Sequence, residues 1–353
     1  MTVDVAYRRV HSYSNKNKNR CQPVRIPPND FLVRQFESIR YILLEISRCQ
    51  QNGTLSMQRH KNVRKIFLSS EMLESRDLLA VAPVRMVQRQ TETVTYKTTT
   101  AGQPLKLTII KPSSKLATTS GVPIVFAVHG GGWVRFDRSN ILTDLKYLPA
   151  EGYALVAPNY TLATSQKPSW SDNLADLKDA LDWVVTNGAS RGLALTDVTL
   201  AGQSAGGHLA AMLAISESGR KDAMNGPLVD RLIDVSGPMD LPRLVGESTF
   251  ASGRAKTMLG QTFDMNPGLW KSASPSYLLE SNPKIKMPVT LIIQGTSDPV
   301  VPLDQSTGFQ NQLVKMSVPS RLEKIVGAGH ELFKGAIASK TKRLILDFLK
   351  TGV

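Results

Sequence analysis

The sequence predicts an α/β fold in which a mostly parallel, eight-stranded sheet is covered by helices on both faces. Three observations carry this. From about residue 91 onward, short apolar runs alternate with stretches of helical periodicity, the pattern of strands and crossover helices. The run Ile124-Val125-Phe126-Ala127-Val128 is of the buried type, as in a parallel sheet covered on both faces. The 353 residues are 41% hydrophobic, enough for a sizeable core. No internal repeat points to another architecture.

Taken in order, the first 28 residues are polar and Asn/Lys-rich, and they end in Ile26-Pro27-Pro28-Asn29, so a mobile arm is expected there. Leu32, Phe36, Ile39, Leu43 and Ile46 then recur at helical spacing behind Asn29 or Asp30 as N-cap. This helix is expected to pack on the main domain, and a second basic helical stretch follows around residues 57–79. Residues 1–90 are thus read as an N-terminal extension and 91–353 as the main domain.

In that domain, residues 91–100 and 105–111 read as a hairpin around Ala101-Gly102-Gln103-Pro104. Strands are expected at 124–128, 154–157, 198–201, 232–235, 289–293 and 322–326. Helices are expected at 171–189, with Leu174, Leu177, Leu181 and Val184 on one face, and at 206–216, 303–316 and 331–349. Residues 241–278 interrupt the alternation, carry Phe250, Phe263 and Trp270, and read as a small cap insertion.

The net charge of +14 invites a nucleic-acid or anionic-membrane reading. Its distribution argues otherwise. Residues 1–90 hold 16 Lys and Arg against 7 Asp and Glu, so most of the excess lies in the extension. The extension lacks an aromatic-interleaved recognition pattern, so nucleic acid is not an expected partner, while peripheral lipid contact stays open. Cys21 and Cys49 with no C-x-x-C exclude a disulfide framework and a zinc ribbon. No apolar run approaches the ~18 residues of a membrane span, and no signal-type apolar region follows the basic N-terminus. A cytoplasmic protein is expected, with leaderless secretion as the alternative.

The chemistry begins at Gly202-Gln203-Ser204-Ala205-Gly206, a G-x-S-x-G between an expected strand and helix. On such a turn the Ser204 hydroxyl is lifted into the open and the Ala205 N–H is left free at a helix N-terminus. A serine needs a base, and the chain has five histidines. His11 and His60 lie in the extension, His129 in a glycine run, and His208 on the helix after Ser204, where packing or hydrogen bonding is expected. His330, in Gly327-Ala328-Gly329-His330 after the last strand, is the remaining base. Asp298, after the strand at 289–293, is favoured as its acid, with Asp240 as runner-up and Asp304 as a surface residue. His129-Gly130-Gly131-Gly132-Trp133 follows the strand at 124–128, and its glycines can turn backbone N–H groups toward an oxyanion. No Gly-Lys-Ser/Thr or G-x-G-x-x-G pattern supports nucleotide binding instead.

In this order, HGGGW, GQSAGG, GTSDPVVP and GAGH resemble the α/β-hydrolase superfamily from about residue 91 to the C-terminus. More narrowly they resemble the HGGG-type carboxylesterases and lipases, either hormone-sensitive-lipase-like or feruloyl-esterase/formamidase-like. The resemblance implies the α/β-hydrolase fold, Ser204 as nucleophile, Asp298 as acid and His330 as base. It also implies an oxyanion hole from Gly131, Gly132 and Ala205. Pro158-Asn159-Tyr160-Thr161-Leu162-Ala163 is similar to the family's tyrosine-containing turn, with Thr161 where an arginine is usual.

The expected activity is hydrolysis of a small-molecule carboxylic ester through an acyl-enzyme, without metal or organic cofactor. An amidase or formamidase with the same triad is the near alternative, and a non-catalytic binding protein the distant one. Trp133, Trp170, Phe250, Phe263 and Trp270 are expected to shape the substrate pocket.

Overall fold

Residues 90–113 and 121–352 are described by the computed structural model. The arm and helices expected within residues 1–89 lie outside the described residues. The chain opens with an antiparallel hairpin, β1 (Gln90–Thr98) and β2 (Pro104–Lys111). It continues through β3 (Val122–Val128), β4 (Ala154–Pro158), β5 (Leu193–Gln203), β6 (Arg231–Val235), β7 (Val289–Gly295) and β8 (Ser320–Ile325). These form one eight-stranded sheet in the order β1-β2-β4-β3-β5-β6-β7-β8. β2 pairs with β4 antiparallel, and every pairing from β4 to β8 is parallel.

Alternating side chains of each central strand enter two separate apolar layers. Ile124, Phe126 and Val128 join one, and Val125 and Ala127 the other. Helices α1 (Arg138–Asp144) and α9 (Ala338–Thr351) close the second layer with Ile141, Ile345 and Phe348. Helices α2 (Asp172–Asn187), α3 (Ala205–Ser216) and α8 (Leu303–Lys315) close the first with Leu177, Leu181, Leu209 and Phe309. Of the apolar face expected on α2, Leu177, Leu181 and Val184 are fully buried and Leu174 partly so. α2 also bears Asp176, which takes the Lys97 ammonium of β1 at 2.7 Å.

Two expected elements differ. The strand expected at 198–201 runs from Leu193 to Gln203. Its first residues pair with Val122 and Pro123, and the register then shifts between Pro123 and Ile124. The polar Thr196-Asp197 at this irregularity hid the strand's start. The last helix begins at Ala338, not 331. Gly335 has φ +60, which breaks the helical path, and Leu332 is buried with its carbonyl accepting from Thr341 Oγ1 at 2.7 Å.

Between β6 and β7 the insertion folds as four short helices: α4 (Leu241–Glu247), α5 (Thr249–Leu259), α6 (Pro267–Ser272) and α7 (Pro275–Ser281). Asp240, Ser248 and Asn266 cap the first three through their side chains, each taking a backbone N–H three residues on. No helix among the described residues is long and apolar enough to cross a membrane.

Candidate active site

The site is assembled at the carboxyl ends of β3, β5, β7 and β8. Ser204 stands between β5 and α3 at φ 56, ψ −125, outside the regions comfortable for an L-residue. Such strain costs on the order of 1–3 kcal/mol and is held by the surrounding packing. The glycines on either side are required by close approach. A Cβ on Gly202 would lie 2.1 Å from the Gly206 carbonyl oxygen, and one on Gly206 would lie 2.1 Å from that of Val128. The Ser204 N–H donates to Val235 O at 2.8 Å, fixing the turn to β6.

His330 and Asp298 come to this serine from two further strand ends. His330 Nε2 lies 2.9 Å from Ser204 Oγ, and His330 Nδ1 lies 2.7 Å from Asp298 Oδ2. A carboxylate at Nδ1 places the proton there, leaving Nε2 to accept from the serine hydroxyl. The Asp298 side chain is buried, and its Oδ1 accepts from the N–H groups of Val300 and Val301 at 2.8 and 2.9 Å. These donors hold the carboxylate in one orientation.

Gln294 is the residue that sequence reasoning missed. It ends the apolar core of β7 fully buried, and its Nε2 donates to Asp298 Oδ2 at 3.0 Å and to Val301 O at 2.9 Å. Its Oε1 accepts from Ser306 Oγ at 3.0 Å. A glutamine following an apolar run, with no motif of its own, offered no signal beyond its place beside the expected acid.

The glycine run turns below Ser204. Gly131 has φ +112, a conformation that favours glycine. The N–H groups of Gly131, Gly132 and Ala205 find no protein acceptor among the described residues. All three residues line the same cleft as Ser204 and His330, with a volume of about 280 Å³.

The two other described histidines, His129 and His208, are structural. His129 is buried, stacks on Tyr160 at 4.3 Å between ring centroids, and contacts Gly130 O through Nδ1 at 2.8 Å. Tyr160 donates from its hydroxyl to His129 O at 2.9 Å, so the tyrosine-containing turn braces the glycine loop. His208 is fully buried and contacts Ala273 O through Nε2 at 2.7 Å. Burial pushes both imidazoles down to about 4. Asp240 caps α4, and Asp304 pairs with Arg243 at 2.8 Å on the surface. Neither acid contacts His330.

Of the five aromatics expected to shape the pocket, Trp133 and Phe250 line the cleft. Trp270 is instead buried in the core against Phe263, with centroids 6.1 Å apart, and Trp170 packs toward His208. The rim also carries Asp144, whose carboxyl burial pushes up to about 6, beside the Glu331–Lys334 ion pair. No cluster of three or more His, Cys, Asp or Glu able to hold a metal occurs among the described residues.

The BD-FAE family model matches residues 107–313. Esterase LipC of Mycobacterium tuberculosis is 29% identical over 243 residues, covering 65% of this chain and 59% of LipC. Esterase LipQ of the same organism is 29% identical over 207 residues, covering 56% of this chain and 47% of LipQ. The chain thus spans about half the length of these curated relatives. Among solved structures, the thermophilic esterase Est2 of the Planctomycetes species Thermogutta terrifontis superposes with a TM-score of 0.59 and 25% identity. That alignment covers 73% of this chain and 91% of Est2.

Proposed function

The chain belongs to the BD-FAE family within the α/β-hydrolase superfamily, and on that premise we propose that it is a serine carboxylesterase. The observation that carries this reading is the unbroken Ser204–His330–Asp298 hydrogen-bond line opening into the cleft. The esterase names of the relatives support it.

In this reading Ser204 Oγ attacks the ester carbonyl carbon as His330 Nε2 takes its proton. Asp298 holds the imidazole in the productive tautomer and stabilises the imidazolium. The N–H groups of Gly131, Gly132 and Ala205 receive the developing oxyanion, and each such donor is typically worth about 3 kcal/mol in the transition state. The protonated His330 then gives its proton to the leaving alcohol. Water, activated by the same histidine, resolves the acyl-enzyme. The partner is a small-molecule ester. The setting, from the sequence alone, is the cytoplasm, which cell fractionation tests.

Ser204→Ala is expected to abolish hydrolysis of p-nitrophenyl butyrate and labelling by a fluorophosphonate while the circular dichroism spectrum stays that of wild type. Turnover at the wild-type rate in that variant would refute the mechanism.

A further inference from the structure

The cleft wall carries a cation that the mechanism above leaves unused. Arg254 lies one turn after Phe250 on α5, and both line the cleft. Its aliphatic stem covers the glycine loop, since a Cβ on Gly132 would lie 3.1 Å from Arg254 Cγ and 3.3 Å from Cδ. Its guanidinium lies 5.3 Å from the Phe250 ring centroid. Among the described residues, no carboxylate pairs with it and no acceptor takes its N–H groups. Five arginines elsewhere, Arg191, Arg220, Arg231, Arg243 and Arg321, each meet a carboxylate.

The acids of the cleft are engaged elsewhere. Glu331 holds Lys334 at 2.6 Å, and Asp144 interacts with that pair. Arg135, more exposed and 4.6 Å from the Phe136 centroid, adds a second unpaired positive charge to the lining. A half-buried guanidinium resting on an aromatic face, with its planar fork free, matches a carboxylate bidentately. Its stem against Gly132 and its place in the lining put Arg254 in the same cleft as Ser204.

We propose that Arg254 is a specificity-determining residue that receives a carboxylate borne by the substrate, so that the enzyme prefers an acyl chain bearing a terminal carboxylate over the same chain without it. This rests on the esterase reading above.

The test compares p-nitrophenyl butyrate with the mono-p-nitrophenyl ester of glutaric acid in wild type and in R254Q, R254E and R254K. The quantity read is the ratio of kcat/KM for the glutarate ester to that for the butyrate. The ratio is expected to fall about tenfold in R254Q, the scale of a charge-assisted hydrogen bond, mainly through KM. It should fall further in R254E and recover in part in R254K. In wild type, added salt should lower turnover of the glutarate ester more than that of the butyrate, a readout independent of variant folding. A ratio within twofold of wild type in R254Q, equal loss on both esters, or no salt difference overturns the proposal. Turnover of both esters with an unchanged ratio brings down this proposal alone, whereas no turnover of either by wild type brings down the esterase reading and this proposal with it.

Discussion

Trp133 and His208 meet edge to face, their ring centroids 5.2 Å apart, with the indole N–H donating to His208 Nδ1 at 3.2 Å. His208 Nε2 then donates to Ala273 O, so one neutral imidazole ties the glycine loop, the helix after Ser204 and the end of α6 together. His208→Ala strands two buried polar groups and opens a cavity. A loss of about 2–4 kcal/mol is expected in urea unfolding. Fluorophosphonate labelling should survive in the folded variant and be lost in His330→Ala, which separates the two histidines' roles.

Asp234 supplies a pH test. It is fully buried beneath Gly207 and Gly237, accepts from Gly237 N at 2.9 Å, and its Oδ2 has no partner among the described residues. Burial pushes its carboxyl up to about 8 from 3.8. Because the folded value lies above the unfolded one, the folded state holds the proton more tightly. Its contribution is present below pH 3.8 and is lost as pH rises toward 8. Asp234→Asn carries no such loss. Its stability relative to wild type should climb by at least about 1 kcal/mol between pH 5 and 8, measured by denaturation at each pH. A pH-independent difference would contradict the assignment.

Gln294 lies behind the acid rather than in the cleft. Gln294→Leu leaves Asp298 Oδ2 with His330 as its one side-chain partner and strands the Ser306 hydroxyl. Stability should fall by about 1–3 kcal/mol. On p-nitrophenyl butyrate, kcat should fall while KM stays near wild type, and Gln294→Glu should displace the acid limb of the pH–rate profile, which a purely structural role would not do.

Gly206→Ala places a methyl group against the Val128 carbonyl, 2.1 Å from its oxygen. The turn must shift, carrying Ser204 away from His330. An expected loss of at least 100-fold in kcat should accompany a retained far-ultraviolet spectrum, since a misplacement of about 1 Å costs that order of rate.

What the sequence made legible were features with a local signature. Apolar runs marked the central parallel strands, and glycines packed against backbone marked the serine turn and the loop before Trp133. The triad members were legible because each lies in a short turn after an expected strand. What escaped depended on distant neighbours. The start of β5 hid behind Thr196 and Asp197 because its register is set by Val122 and Pro123. The late start of α9 reflects Leu332 finding a buried site. Trp270 was read as a pocket residue because an insertion's aromatics carry no mark telling core from cleft. Gln294 was passed over because a second donor to a carboxylate is defined only by the fold.

The hydrogen bond between Ser204 and His330 spans 126 residues of chain. β5 and α3 can form before β8 exists, but the serine has no base until β6, β7 and β8 have joined the sheet in turn. During synthesis the nucleophile therefore emerges long before it is armed. Reactivity toward a fluorophosphonate reports completion of the last parallel pairing, so labelling of stalled nascent chains of increasing length would time the end of folding rather than its beginning.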